Sequence, residues 1–189
     1  MSSFLSNMLA TVSAAVTNLA PYHLLFFSTL LGTELYQSFV MTKVCFQALP
    51  RSAFTTLQKR VFPLYFRGQA LLLVLAAATV PPLGPLSLVQ HRSDWIPFAV
   101  AGATAALNLV RYGPRTRQAM IERVHQETRD GSRRSEGDTE VSLEIQKLNR
   151  TFSKNHAMSI HLNLISIGAM LFYGVRLASR LDVVPDGPR

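Results

Sequence analysis

The sequence contains a single cysteine, Cys45, so no disulfide can form within the chain and a disulfide-stapled secreted scaffold is excluded. It has no glycine-rich phosphate loop, no nucleophile elbow and no zinc-protease motif. The first twenty residues contain no lysine or arginine, whereas secretory signals begin with basic residues and mitochondrial transit peptides are rich in arginine. We therefore expect no soluble enzyme of a recognised motif class, and neither type of cleaved leader.

Apolar side chains in the first twenty residues recur at the spacing of a helix. Phe4, Met8, Leu9 and Val12 lie on one stripe, and serine and asparagine side chains lie mostly opposite. This pattern predicts an amphipathic helix in the membrane interface over 1–20. A frayed terminus is the alternative interpretation.

Four stretches almost lack charge, although the whole chain has 19 basic and 11 acidic side chains. Their lengths are near or above the roughly 20 residues that a helix needs to cross a hydrocarbon core of about 30 Å. The four runs are about 22–46, 61–83, 95–112 and 157–177. They predict an all-α membrane protein in which four transmembrane helices form an up-down bundle.

The third run is rich in small residues, which allow helix backbones to approach closely in lipid. Ala99 with Ala103, and Gly102 with Ala106, are spaced four apart and are predicted to face a neighbouring helix. The Gly-Pro pair after this run is predicted to end the helix, because proline lacks the amide proton and blocks the preceding turn.

Basic residues are distributed unequally between the two sides of the predicted membrane. Fourteen fall in the first and third connectors and four on the opposite side, which predicts cytosolic connectors and lumenal or exterior termini. The endoplasmic reticulum or another endomembrane is the default location. The predicted segments are an amphipathic segment (1–20), three transmembrane helices (21–112), a basic and partly disordered cytosolic loop (113–154), a fourth transmembrane helix (155–181) and a tail (182–189).

Polar residues inside these runs form a candidate intramembrane cluster. An ionisable group in a spanning helix costs about 3 kcal/mol, so each one requires a reason. Glu34 and Arg67 are hypothesised to pair or to share a hydrated interior; alternatively, Arg67 snorkels to the headgroups and Glu34 is protonated. Asn108 is a candidate partner for a polar stripe that includes His156 and Asn163. Such residues either hold the helices together by hydrogen bonds or line a cavity that binds or conducts a substrate.

The same residues do not predict a metal centre. A copper or haem site is conceivable from their chemistry, but the chain has no Cys-x-x-Cys, His-x-x-x-His or Glu-x-x-His spacing. His156 and His161 are five residues apart, which places them about 140° apart around a helix. We therefore predict no metal ligand, no cofactor and no catalytic residue.

Short motifs in all four runs resemble the transmembrane protein 205 family, a eukaryotic group whose domain is largely of unknown function. The likeness covers about 32–120 and 148–163. It implies a four-pass membrane protein without an established catalytic activity. Glu34 stands where animal members of the family have glutamine. The resemblance therefore implies that a fixed negative charge at this position is not essential to the family's activity. The motifs are Gly32 with Tyr36 and Phe39, Leu49-Pro50-Arg51 with Phe54, Phe62-Pro63, Tyr65-Phe66, Asn108, Pro114-Arg115-Thr116 with Met120, and Phe152 with His156 and Asn163.

Three functions are compatible with the sequence. The favoured prediction is a non-enzymatic membrane protein that supports trafficking or transport in an endomembrane. A small transporter or channel subunit with a polar intramembrane cavity is the first alternative, and a membrane-embedded oxidoreductase or oxygenase is the second. The expected partners are the lipid bilayer and either a second copy of the chain or another membrane protein, and no nucleic acid is expected.

Overall fold

The computed structural model describes residues 18–133 and 143–180, and its regular elements are all helices. The prediction of an all-α protein is therefore confirmed for these residues. Most of the predicted amphipathic segment and the predicted tail lie outside them. The helices are α1 (Leu19–Ala48), α2 (Arg51–Ala78), α3 (Pro85–Gln90), α4 (92–133) and α5 (Leu143–Ala178).

Helix α1 begins slightly earlier than predicted because Asn18 caps it. The Asn18 Oδ1 atom accepts a hydrogen bond from the backbone N–H of Ala20 at 3.0 Å, as a typical N-cap does. Pro21 lies in the first turn, where a missing N–H costs little. A π-helical turn at Tyr36–Met41 interrupts the α-helical geometry, and the helix continues to Ala48.

Helix α2 starts about ten residues before the predicted run 61–83, so the predicted start of this helix is wrong. Only a short turn at Leu49 and Pro50 separates α1 from α2. The helix ends at Ala78, earlier than predicted, where the chain turns into α3. Gly84 allows this turn, because its φ is +66° and a Cβ there would lie 2.6 Å from the carbonyl oxygen of Ala78.

Helix α4 does not stop at the Gly-Pro pair, so that prediction is also wrong. A π-helical turn at Asn108–Tyr112 comes just before the pair and places the Gly113 N–H against the Asn108 carbonyl. Gly113 fits because a Cβ would lie 2.6 Å from that oxygen and 3.1 Å from the Phe66 ring. The helix then continues to Arg133.

The segment 113–154, predicted to be a basic and partly disordered connector between spans, is helical in its described residues. It contains the end of α4 and the beginning of α5. Residues 134–142 lie outside the described part. Helix α5 has 36 residues, which corresponds to about 54 Å, so it is longer than a hydrocarbon core is thick.

Three of the helices are long and apolar enough to cross a membrane: α1, α2 and α5. Their outer faces carry exposed large apolar side chains, for example Leu64, Leu71 and Phe172, which suits contact with lipid rather than water. Among the described residues, helix α4 is not apolar enough over a sufficient length to count as a span by the same measure. The structure therefore establishes three candidate spans and leaves the fourth as a prediction.

The small residues of α4 pack differently from the prediction. Ala99 and Ala103 are exposed, whereas Ala101 and Ala105 are buried. The spacing of four is therefore correct, but Ala99 and Ala103 lie on the wrong face. Gly102 does face α2, since a Cβ there would lie 3.8 Å from Leu73. A close approach occurs on the face that also carries the buried Phe98 and Asn108.

Hydrogen bonds between helices show that α1 is antiparallel to both α2 and α5, and that α4 is antiparallel to α5. The packed helices therefore have two chemically different ends. We call the end that contains Lys43, Lys59, Arg60 and Arg117 the basic end. We call the other end, which contains His23, Asp94, Arg176 and Arg180, the Asp94 end.

Candidate functional site

A buried polar network lies between α1, α2 and α5. The Oε1 atom of Glu34 accepts hydrogen bonds from the Gln69 side-chain amide at 2.6 Å and from the Ser166 hydroxyl at 2.8 Å. All three side chains are almost fully buried. The second carboxylate oxygen of Glu34, Oε2, is buried without a hydrogen-bond partner. The network links α1 to α2 and α5 through hydrogen bonds. Buried polar atoms are normally paired, so the unpaired Oε2 atom leaves Glu34 incompletely satisfied.

The network continues through Asn163 toward the basic end. The Tyr65 hydroxyl donates to Asn163 Oδ1 at 2.6 Å, and the Asn163 amide donates to the Ser38 hydroxyl at 2.7 Å. Gln69 also contacts Asn163 Oδ1 at 3.3 Å. Asn163 therefore connects three helices at one level of the membrane.

A cavity of about 970 Å³ opens at the basic end, and Ser38, Tyr65 and Asn163 are among its lining residues. Its other walls come from α2, α4 and α5. The volume is in the upper part of the range of about 300–1,000 Å³ that is typical of small-molecule sites. Four cationic side chains line it: Lys59, Arg60, Arg67 and Arg117.

The predicted cluster is only partly brought together. Glu34 and Asn163 are linked through Gln69, and Arg67, His156 and Asn163 line the cavity. The hypothesised pair of Glu34 with Arg67 is not formed, since the ion pairs among the described residues join other side chains. Arg67 is exposed, whereas Glu34 is buried and bonded to neutral groups.

Asn108 and His156 make separate contacts. The Asn108 amide donates to the backbone carbonyl of Ser159 at 3.1 Å and so joins α4 to α5. The ring of His156 stacks on Phe152 with centroids 5.2 Å apart. Asn108 is completely buried, so its role is to connect helices rather than to face the cavity.

A second buried polar site was missed by the sequence analysis. His23 Nδ1 lies 2.9 Å from the carbonyl oxygen of Ala76, which can only accept, so Nδ1 carries a proton. His23 Nε2 then accepts from the Tyr173 hydroxyl at 2.8 Å. The rings of Phe27 and Phe98 pack edge-on against Tyr173. A histidine at the start of an apolar run was the available signal.

An ion-pair cluster fixes the Asp94 end. Arg180 Nη2 lies 2.8 and 2.7 Å from the two carboxylate oxygens of Asp94, and Arg176 Nε lies 3.1 Å from one of them. Burial alone would raise the pKa of Asp94, but the hydrogen bonds and charges of Arg180 and Arg176 outweigh it and hold the pKa below its usual value. The two arginines thereby connect α5 to α4.

No three histidine, cysteine, aspartate or glutamate side chains within residues 18–133 and 143–180 form a group that could hold a metal ion. The polar groups that converge in the network around Asn163 are amides, hydroxyls and the Glu34 carboxylate. Groups of this kind can bind a ligand through hydrogen bonds and charge.

The apolar spans, the lipid-facing surfaces and the buried polar network define a helical integral membrane protein. The chain belongs to the family of the domain of unknown function DUF4149, whose profile matches residues 25–125.

One relative extends this comparison. The xanthocillin biosynthesis cluster protein D of Aspergillus fumigatus is 50% identical over 166 residues, which cover 88% of this chain and 93% of that protein. No solved structure matches the chain. The likeness to the transmembrane protein 205 family stays a prediction.

Proposed function

We propose that this chain is a four-span membrane protein of the transmembrane protein 205 type that has no catalytic centre of its own. It receives a membrane-soluble small molecule in the cavity at the basic end and thereby supports trafficking or transport in an endomembrane. Its termini face the lumen or the exterior. The bilayer and a second copy or another membrane protein are its proposed partners, and nucleic acid is not.

The asymmetry of the cavity carries this proposal. At the basic end the cavity is open, and it reaches inward to the level of Asn163. Below that level, the interior is filled by buried apolar side chains, including Leu30, Phe98 and Met170. The Asp94 ion pairs close the far end. A site with one open end suits a protein that binds and presents a molecule better than a continuous pore.

The packing of α4 supports a fourth span. Pro97, Asn108 and Arg111 lower its hydropathy, but Pro97 and Asn108 are buried against the protein. Its lipid-facing side carries exposed apolar residues such as Val100 and Val110. A helix whose polar residues face neighbouring helices can cross lipid at a lower mean hydropathy than one surrounded by lipid.

The relative's name suggests the kind of molecule. That protein is named for a biosynthesis cluster, so we propose that this chain also serves a biosynthetic pathway and handles a product or an intermediate. We propose that this molecule is apolar enough to partition into lipid, where a cavity that opens sideways to the bilayer can collect it.

Filling the cavity tests this function. Leu109 is half-buried and lines the cavity, whereas the adjacent Val110 is 76% exposed on the outside. Replacement of the native copy by Leu109→Trp is expected to lower the ratio of secreted to cell-associated metabolites. Val110→Trp is the matched control and should leave the ratio unchanged. Equal metabolite ratios for both variants and for the unmodified chain would contradict the proposal.

The number of spans is tested by labelling single cysteines with an impermeant maleimide in sealed microsomes. In a Cys45→Ser background, Ser52→Cys and His125→Cys should react from the cytosolic side and Ser93→Cys should be protected. Protection of His125→Cys would show that α4 does not cross the membrane.

A transporter or channel subunit is the second candidate, and the polar network that runs from the cavity inward favours it. The path from Tyr65 through Asn163 and Gln69 ends at Glu34. Four helices are too few for a wide pore, so this function requires an assembly of several copies. Flux through proteoliposomes that falls with both Glu34→Gln and Asn163→Ala would favour this candidate over the first.

A further inference from the structure

The cavity lies where the lipid headgroups are expected. Tyr65 and Ser38 are at the level of Asn163, because both are hydrogen-bonded to its side chain. At about 1.5 Å per residue, Arg60 on α2 and His156 on α5 lie roughly 8 to 10 Å farther toward the basic end. The predicted spans begin at about these two positions. The cavity therefore extends from inside the hydrocarbon region into the polar interface.

The charge in this cavity is all of one sign. Lys59, Arg60, Arg67 and Arg117 line it, and no aspartate or glutamate is among its described lining residues. None of these four side chains belongs to the ion pairs that the described helices form. Like charges around one cavity repel each other, and an anion bound between them would offset that repulsion.

Two buried polar atoms in the same walls lack partners. Gln58 is only 3% exposed, and its Oε1 atom has no hydrogen-bond partner. The Thr116 hydroxyl is also buried and also lacks a hydrogen-bond partner. Both residues line the cavity. A threonine hydroxyl can donate to an oxyanion, and a side-chain amide presents either its oxygen or its NH₂ after rotation. These groups are suited to a polar head that enters from the cavity.

The apolar walls of the cavity continue onto the outer surface. Phe39 and Leu64 line the cavity and are 55% and 68% exposed, and Ile160 and Leu164 are exposed in the same way. In a bilayer, these side chains face acyl chains. An apolar tail can therefore lie along these walls and leave the cavity sideways while the head stays at the basic end.

We propose that the cavity binds an amphiphile with a phosphate or carboxylate headgroup and a long apolar tail. Lys59, Arg60 and Arg117 hold the headgroup at the interface, and Gln58 and Thr116 complete its hydrogen bonds. Phe39, Leu64 and Leu164 contact the tail. This inference rests on the proposed function and gives the chemical class of the molecule that the cavity receives.

Binding to four probes tests the proposal with the full chain in an uncharged maltoside detergent. The probes are oleate, palmitoyl-oleoyl phosphatidic acid, monoolein and inorganic phosphate, and occupancy is measured by native mass spectrometry. Oleate and phosphatidic acid combine a charge with a tail and should bind at least about tenfold more tightly than monoolein or phosphate, since one lost charge-assisted hydrogen bond has about that effect. Equal binding of monoolein overturns the charge requirement, and equal binding of phosphate alone overturns the tail requirement.

A matched pair of variants locates the site. Arg117→Gln removes a cavity-lining charge, and Arg115→Gln removes an exposed charge two residues away that does not line the cavity. Oleate should bind about tenfold more weakly to Arg117→Gln and within about twofold of normal to Arg115→Gln. Equal losses in the two variants would show attraction to a basic surface and would overturn the proposal. Helicity and thermal unfolding of both variants verify that they are folded.

The binding result and the metabolite result can fail separately. If Leu109→Trp lowers secretion while oleate and monoolein bind equally, the proposed function holds and the inference about ligand class is wrong. If the charged amphiphiles bind selectively but Leu109→Trp leaves secretion unchanged, the ligand class is supported and the proposed function is wrong.

Discussion

The two ends of the packed helices use arginine in opposite ways. At the Asp94 end, Arg176 and Arg180 are paired with a buried carboxylate and connect α4 to α5. At the basic end, Lys59, Arg60 and Arg117 surround a cavity without a described carboxylate in its walls. The first arrangement stabilises the protein, and the second leaves positive charge available to a ligand.

The Asp94 end is also more closely packed than the basic end. Tyr173 near the Asp94 end is buried among aromatic rings and is hydrogen-bonded to His23. Near the basic end, Tyr65 is buried too, but its hydroxyl reaches Asn163 at the bottom of an open cavity. With the proposed ligand site at the basic end, stability and binding are separated along the helix axis, so substitutions at the two ends should have separable effects.

The largest loss of stability is expected from Tyr173→Ala. This change removes a buried ring that contacts Phe27 and Phe98 and leaves His23 Nε2 without its partner. We expect the free energy of unfolding to fall by about 3 kcal/mol, measured by unfolding with sodium dodecyl sulfate in mixed micelles. Phe172→Ala is the control, because Phe172 is 53% exposed and should change it by less than about 0.5 kcal/mol. Similar losses in both would mean that this end is not closely packed.

Breaking the ion pairs should have the next largest effect. Asp94→Asn removes the charge that two arginines share, and we expect a loss of about 2 kcal/mol at pH 7. Because the pKa of Asp94 is lowered in the folded state, its contribution is complete above the unfolded value of about 3.9 and is lost as the pH falls through the lower folded value.

The difference in unfolding free energy between the unmodified protein and Asp94→Asn isolates this contribution from those of the other carboxylates. That difference should be constant from pH 7 to about pH 5 and should shrink as the pH falls below about 4. A difference that does not depend on pH would mean that Asp94 is not ionised in the folded protein.

The helical character and the polar residues at the centre were predictable because apolar runs and intramembrane polar side chains are visible in the sequence. Glu34 and Asn163 stand out in this way, and both take part in the central network. The sequence did not show which residues lie opposite each other. Arg67 therefore seemed a partner for Glu34, whereas Gln69, half a turn farther along α2, provides the contact.

Helix boundaries could not be predicted for a different reason. Gly113 and Pro114 usually end a helix, but the π-helical turn before them and the close contact with Phe66 allow α4 to continue. This compensation depends on a neighbouring helix. The same limitation explains why the contacts of His23 with Tyr173 and of Asp94 with Arg180 were missed, since the two residues of each pair are far apart in the sequence.

The central network, between the two ends, should respond more weakly to substitution. Glu34→Leu removes the acceptor of both Gln69 and Ser166, and we expect a loss of about 1 kcal/mol because hydrogen bonds between membrane helices contribute about 0.6 kcal/mol each. Glu34→Gln keeps an acceptor oxygen and should lose less. The two variants are compared in the same micelle assay; a larger loss for Glu34→Gln than for Glu34→Leu would show that the hydrogen bonds to the Oε1 atom do not account for the contribution of Glu34.

The smallest effect on stability is expected at the basic end. Lys59→Gln removes one of several like charges around the cavity, so the free energy of unfolding should change by no more than about 0.5 kcal/mol, and any change should be an increase at low salt. Arg180→Gln makes a similar chemical change at the Asp94 end and should lower it, since it breaks a bond to a buried carboxylate. The two substitutions are compared in one assay at two salt concentrations. If Lys59→Gln is as destabilising as Arg180→Gln, the cations at the basic end stabilise the protein, and the separation between a structural end and a binding end is wrong.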